Sequence, residues 1–262
     1  MAKTLEFPVL LRLIDERSAA FRAAVASAPG LDAQVPSCPD WTLLDLVRHL
    51  GGVHRFWATV VAAGPADAPP AERSAQLSST APQEREALLA WAAESTELLL
   101  GALREAGPDR GCWTWWAGSQ SPQTSGAVAR HQAQEAMVHT YDAQITADAP
   151  QPLPAEAALD GVDEFLSTCC AGPYTWPYEP AVVDYHATEG RSWRLSLSAD
   201  GVQATHFPES GTEPATAAAA SARGTAGELV LALYSRIPVD SLKVDGDARI
   251  FDQLLAWDPD DA

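Results

Sequence analysis

Glu135 and His139 lie four residues apart in the segment His131-Gln-Ala-Gln-Glu-Ala-Met-Val-His-Thr-Tyr-Asp142. In a helix that spacing puts both side chains on one face. A carboxylate beside an imidazole is a common half of a metal site. The other half is sought on another helix, and His49, in Thr42-Leu-Leu-Asp-Leu-Val-Arg-His-Leu-Gly51, is the candidate. A His/Glu/His set supplies three protein ligands and leaves a coordination position open, as catalytic zinc requires. A lone Glu-x-x-x-His pair is also what an ordinary helix-surface interaction looks like, and a lone histidine beside an apolar stripe is also an ordinary core residue. The reading therefore rests on the three residues together.

Helices are needed to hold them. Leu10, Ile14, Phe21 and Val25 make a helical stripe over residues 9–28, closed by Pro29-Gly30. Thr42 with Asp45 in the third position is a helix start, and the apolar positions Leu46, Leu50, Val53, Trp57 and Val60 carry that helix to Gly64-Pro65. After a Pro/Ala-rich loop to about residue 82, Gln83–Ala106 forms a third amphipathic helix and 126–146 a fourth. Four helices of this length make a small bundle. Ala147-Asp-Ala-Pro-Gln-Pro-Leu-Pro154 cannot continue a helix and reads as a linker. The expected division is 1–150, a helical metal-binding domain, and 151–262, an α+β domain.

In the second part a helix is expected over 155–170 and strands at 192–198, 202–207, 215–222 and 241–244. Thr225-Ala-Gly-Glu228 caps a helix to about Arg236, and a last helix spans 248–257. An antiparallel sheet with helices on one side is the simplest assembly.

Composition removes several function classes. Seventeen basic against thirty-five acidic side chains give a formal charge of −18, which opposes binding to nucleic acid or to anionic lipid. Cys38, Cys112, Cys169 and Cys170 show neither a CxxC nor a disulfide framework, which fits a reducing compartment. The N-terminus lacks a cationic segment followed by an apolar run, and no window approaches the roughly 20 apolar residues that span a bilayer. A soluble, cytoplasmic protein is expected.

Five strings carry a resemblance. Val35-Pro-Ser-Cys-Pro-Asp-Trp-Thr42 runs into Asp45-Leu-Val-Arg-His-Leu-Gly-Gly-Val-His54, and Glu135-Ala-Met-Val-His-Thr-Tyr-Asp142 follows; later come Arg223-Gly-Thr-Ala-Gly-Glu-Leu-Val-Leu-Ala-Leu-Tyr-Ser-Arg236 and Val244-Asp-Gly-Asp247. Over nearly its whole length the chain resembles the mycothiol-dependent maleylpyruvate isomerases. The resemblance implies a DinB-like N-terminal bundle, a divalent metal, usually zinc, on His49, Glu135 and His139, and mycothiol as the thiol cofactor. It further implies that Arg236 takes part in catalysis. From sequence alone, Arg236 is equally a solvated cation near a helix C-terminus. One position departs: the family often has a histidine before the metal-binding glutamate, whereas this chain has Gln134.

Metal coordination deprotonates a thiol. The implied reaction is thiolate addition to a small electrophile, as in cis–trans isomerisation of maleylpyruvate to fumarylpyruvate. A thiol S-transferase is the alternative enzyme, and a noncatalytic metal-binding or regulatory module the alternative of another class. Asp142, three residues past His139, is either a partner that orients the imidazole or, as the commoner case, a surface carboxylate or one half of an interhelical ion pair. His54, His131, His186 and His206 are read as surface or loop residues, with His131 able to line a pocket. The pair Cys169-Cys170 reads as buried filler, and Trp113, Trp115 and Trp116 as a packed loop.

Overall fold

The computed structural model describes residues 4–71, 73–207 and 216–257. The chain forms two compact units. One comprises Leu5–Trp115 and Gln123–Leu153; the other comprises Trp116–Pro122 and the chain from Pro154 onward, with Thr4.

The first unit is built on four long helices: α1 (Phe7–Ser27), α2 (Leu43–Ala63), α4 (Arg85–Ala106) and α5 (Ser125–Thr146), with a single turn of helix, α3 (Ser74–Ser78), between α2 and α4. α1 packs chiefly on α5, and α2 on α4. Phe21, Val25, Leu43, Leu46, Val47 and Leu88 fill the core with almost no exposure. The start of α2 is fixed by a reciprocal cap: the Thr42 hydroxyl accepts from the Asp45 amide, and the Asp45 carboxylate accepts from the Thr42 amide at 3.0 Å. A short hairpin, β1 (Gln34–Val35) and β2 (Cys38–Thr42), leads into that cap. This hairpin was not legible from periodicity, because a two-residue strand has no period to read.

Just past His49, α2 carries Gly51 and Gly52, and the packing needs both. A Cβ on Gly51 would lie 2.0 Å from the Trp91 ring of α4, and one on Gly52 would lie 2.0 Å from Ser78 Oγ of α3. The two glycines let the neighbouring helices close on α2 beside the candidate site.

The second unit opens with α6 (Ala155–Phe165), which passes into a π-helical turn at Leu166–Cys170 rather than continuing as α-helix to residue 170. Five strands follow in the order β5-β4-β3-β6-β7: β3 (Ala181–Ala187), β4 (Ser192–Ser198), β5 (Gly201–His206), β6 (Ala220–Gly224) and β7 (Lys243–Gly246). Three pairings are antiparallel, as expected, but β3 and β6 are parallel. The chain leaves β5 at one edge and returns on the far side of β3, running in the same direction. Of the strand expected over 215–222, residue 215 lies outside the described residues, and the observed strand begins at Ala220.

β3 was missed by sequence reading although it sits at the centre of the sheet. Its sequence, Ala-Val-Val-Asp-Tyr-His-Ala, does not alternate cleanly. Asp184 is buried there because Arg194, its cross-strand partner on β4, meets it with two hydrogen bonds of 2.7 Å. α7 (Ala226–Leu233) begins at the reciprocal cap formed by Thr225 and Glu228; after a 3-10 turn (Val239–Ser241) and β7, α8 (Arg249–Ala256) closes the unit. No helix among the described residues is long and apolar enough to cross a membrane.

Candidate metal centre

α5 is unusual for the polarity of what it buries. His131, Gln132, Gln134, His139, Thr140 and Asp142 are all at most 7 % exposed. Burying polar groups costs free energy unless each is hydrogen-bonded or holds a ligand, so such a helix points to a site. Glu135 and His139 sit one turn apart on it. The Glu135 carboxylate reaches His139 Nε2 at 3.1 Å and His49 Nε2, from α2, at 4.0 Å. One ligand atom from each of His49, Glu135 and His139 lies within 4.8 Å of the others. Ligands bound ~2.0–2.2 Å from a tetrahedral zinc are roughly 3.4 Å apart, so side-chain movements of an ångström or so would close the set around one ion.

Asp142 is not a surface carboxylate but takes the orienting role, the less common of the readings its position left open. Fully buried, it receives His139 Nδ1 at 2.8 Å on Oδ2 and the Ser37 hydroxyl at 2.5 Å on Oδ1. A carboxylate on Nδ1 assigns the proton to that nitrogen and leaves Nε2 to face Glu135 and His49. Ser37 belongs to the turn of the short hairpin, so that hairpin buttresses the site from behind. The same hairpin supplies Trp41, whose ring lies 4.7 Å from that of His49 and 6.2 Å from that of His139. The metal reading gave no role to Ser37 and Trp41; the string Val35–Thr42 was the signal that contained them.

The electrostatics call for positive charge. Burial by itself would lower the His139 pKa, but the hydrogen bonds to Asp142 and Glu135 outweigh it and lift the imidazole to about 9. Burial opposes ionisation of Glu135 as well, yet His139 and His49 hold its pKa well below the usual value. A proton on His139 satisfies these carboxylates, and so would a divalent cation. Two nitrogens and one carboxylate oxygen suit zinc and its first-row neighbours; the residues fit the ion that the resemblance implies.

The other histidines divide. His131, one turn before Glu135, places Nε2 3.9 Å from the second carboxylate oxygen and stands edge-on to Trp115 at 5.7 Å and to Trp57 at 6.5 Å. It lines the site, in a buried position rather than on the surface. His54 is also not a surface residue: only 1 % exposed, it sets Nδ1 3.3 Å from the Thr96 hydroxyl, and burial depresses its pKa to about 3. The apolar stripe of α2 explains this, because position 54 falls on the same face as Leu50 and Trp57. His186 and His206 lie on β3 and β5 of the second unit. Arg236 also lies in that unit, just past α7, where its guanidinium donates to the Tyr234 carbonyl at 2.7 Å.

A helical bundle that gathers His49, Glu135 and His139 into one cluster, followed by an α+β unit with a five-stranded sheet, defines a two-unit protein with, among the described residues, one candidate ion site. Residues 11–144 match the sequence profile of the mycothiol maleylpyruvate isomerase N-terminal domain, and residues 156–253 that of the same family's C-terminal domain. The chain belongs to this family. No curated protein sequence matches it. Among solved structures it is similar to a mycothiol-dependent maleylpyruvate isomerase carrying a histidine-to-alanine substitution, with a TM-score of 0.61 at 13 % identity over 94 % of this chain and 97 % of that one. A second structure of the mycothiol-dependent maleylpyruvate isomerase aligns with a TM-score of 0.59 at the same identity and coverage. At that identity the likeness is one of fold.

Proposed function

We propose that this protein is a metal- and mycothiol-dependent enzyme acting on a small electrophile, with cis–trans isomerisation of maleylpyruvate to fumarylpyruvate as the reaction its family membership favours. The observation that carries the reading is the cluster of His49, Glu135 and His139, three ligand atoms within 4.8 Å of one another, on the two helices whose strings match the family. In this reading 1–150 is the metal-binding domain and 151–262 the accompanying α+β domain.

The chain's own residues have distinct tasks. His49, Glu135 and His139 hold the ion and leave a position open. Asp142 fixes the His139 tautomer, and Ser37 fixes Asp142. Trp41 covers the two imidazoles and limits water on that side. When bound, the metal would supply Lewis acidity and mycothiol a thiolate nucleophile, the chemistry that cis–trans isomerisation of an activated double bond needs. Arg236 is assigned the anionic oxygen of the substrate, a task that suits its rigid fork of donors.

The test is turnover of maleylpyruvate by zinc-loaded protein with catalytic mycothiol, followed by mass analysis of the thiol. Fumarylpyruvate formed while the thiol is recovered unchanged supports the isomerase. Thiol consumed in equal amount with the electrophile identifies the S-transferase. A zinc-loaded, folded protein that neither binds mycothiol nor turns over any activated alkene overturns both and leaves the noncatalytic metal module.

A further inference from the structure

His131, Glu135 and His139 stand at successive turns of α5, on one face of the helix. The Glu135 carboxylate therefore lies between two imidazoles of its own helix, and its oxygens are divided between them. Oε2 faces His139 Nε2 at 3.1 Å and His49 Nε2 at 4.0 Å, whereas Oε1 faces His131 Nε2 at 3.9 Å. His49 and His139 belong to the cluster whose ligand atoms lie within 4.8 Å of one another; His131 does not. The stripe is symmetric in sequence and unequal in role. Asp142 on Nδ1 turns the Nε2 lone pair of His139 toward an ion, while His131 stands outside the ligand set and meets the other carboxylate oxygen.

Aromatic packing holds the His131 ring in place. It is 7 % exposed and stands edge-on to Trp57 at 6.5 Å and to Trp115 at 5.7 Å. Trp57 is itself buried and stacks on Trp113 at 6.1 Å, with Phe56 set edge-on to both. Edge-to-face contacts of this kind restrict a ring's orientation, and an imidazole held in this way fixes where its N–H points. At 3.9 Å the contact with Oε1 is longer than a hydrogen bond. So is the 4.0 Å contact between His49 and Oε2, and the same ångström-scale movement that draws the ligand set together closes both. A carboxylate can give a cation one oxygen or both. If both were given, the second would take the coordination position that three single-atom protein donors leave open on a tetrahedral ion.

We propose that His131 is a positioning residue of the metal centre: its Nε2–H reserves Oε1 of Glu135, so that Glu135 offers an ion one oxygen and a coordination position stays open to a thiol. The inference rests on the metal reading given above and adds the residue that keeps that centre open. Carboxylates that bind metals are themselves hydrogen-bonded by neighbouring groups, and His131 is the neighbour that faces the oxygen turned away from His139 and His49.

Cobalt(II) in place of zinc tests the assignment on the full chain, because four-coordinate cobalt(II) absorbs more strongly in the visible than five-coordinate cobalt(II). The probe thiol is 2-mercaptoethanol, whose bound thiolate adds a sulfur-to-cobalt band in the near ultraviolet. Wild type is expected to show the four-coordinate spectrum and to gain that band on titration. His131→Phe keeps an aromatic ring and removes the donor; it should still bind one equivalent of cobalt, show the weaker five-coordinate spectrum, and take the thiol about tenfold more weakly. His131→Gln restores an N–H near the position of Nε2 and should return both readouts to wild type, which a role in packing alone would not do. If the phenylalanine variant does not fold, His131→Leu takes its place. A folded donor-less variant with the wild-type spectrum and thiol affinity overturns the inference, and so does one that loses its cobalt, since His131 would then be a ligand. Wild type that takes up no cobalt refutes the metal centre itself, and the role of His131 with it.

Discussion

Asp142 does more for the proposed metal site than its position outside the ligand set suggests. It holds His139 by Nδ1 and is itself held by Ser37. Partners of this kind change metal affinity by about 10–100-fold. Asp142→Asn should therefore weaken zinc binding by that factor while the fold persists, as read by competition with a chromogenic chelator. Unchanged affinity would mean that His139 is oriented by packing alone. Because His139 in the metal-free protein titrates near 9, zinc uptake below that pH should release a proton, and affinity should fall as pH is lowered.

His54 gives a second test at the scale of a residue, to be made on the metal-free protein because Glu135, His139 and His49 lie close enough to act on its charge. Its pKa in the folded protein, about 3, lies below the ordinary 6.5. Folding therefore favours the neutral ring: the contribution is complete above pH 6.5 and is lost as pH falls toward 3. Between those values the unfolded chain binds one more proton, a slope of at most ~1.4 kcal/mol per pH unit. His54→Gln should flatten that part of the urea-denaturation stability profile; an identical slope in the variant would show that other groups dominate.

Among the elements, α2 is the one whose packing bears most directly on the site. It carries His49 and, within one turn, the two glycines that let α3 and α4 approach. Alanine in a helix gains ~0.5–1 kcal/mol over glycine, but a Cβ driven into the Trp91 ring costs ~1–3 kcal/mol by overpacking. The second effect wins, so Gly51→Ala should lower the denaturation midpoint and loosen metal binding through displacement of His49. A stabilised variant would mean that Trp91 yields easily.

The long elements were legible because their signals are local. Thr42 with Asp45 and Thr225 with Glu228 announced two helix starts that the structure contains, and the alternation of Ser192–Ser198 announced β4. What escaped was decided by tertiary pairing. β3 is buried through an Asp–Arg partnership that one strand alone cannot reveal, and the parallel pairing of β3 with β6 depends on the return path of the chain. The π turn at Leu166–Cys170 likewise has the composition of ordinary helix.

For the molecule as a whole, the three proposed ligands were legible because Glu135 and His139 stand at helical spacing on α5 and His49 stands beside the apolar stripe of α2, whereas the support from Ser37 and Trp41 became visible only when the hairpin was seen beside α5. Arg236 belongs to the second unit, and its proposed task can be separated from metal binding. Arg236→Ala should leave zinc content unchanged and lower kcat/KM for an anionic electrophile by at least about tenfold, with Arg236→Lys recovering little because a bidentate contact is lost. Loss of zinc in Arg236→Ala, or full activity, would contradict that task.

The most direct test of the central claim is metal content by inductively coupled plasma mass spectrometry. Wild type and the His49→Ala, Glu135→Ala and His139→Ala variants would be reconstituted with zinc, desalted and confirmed as folded by circular dichroism. One equivalent in the wild type and a small fraction of that in each variant is the predicted result. Folded wild type that retains no metal, or variants that keep the full equivalent, would contradict the assignment of these three residues.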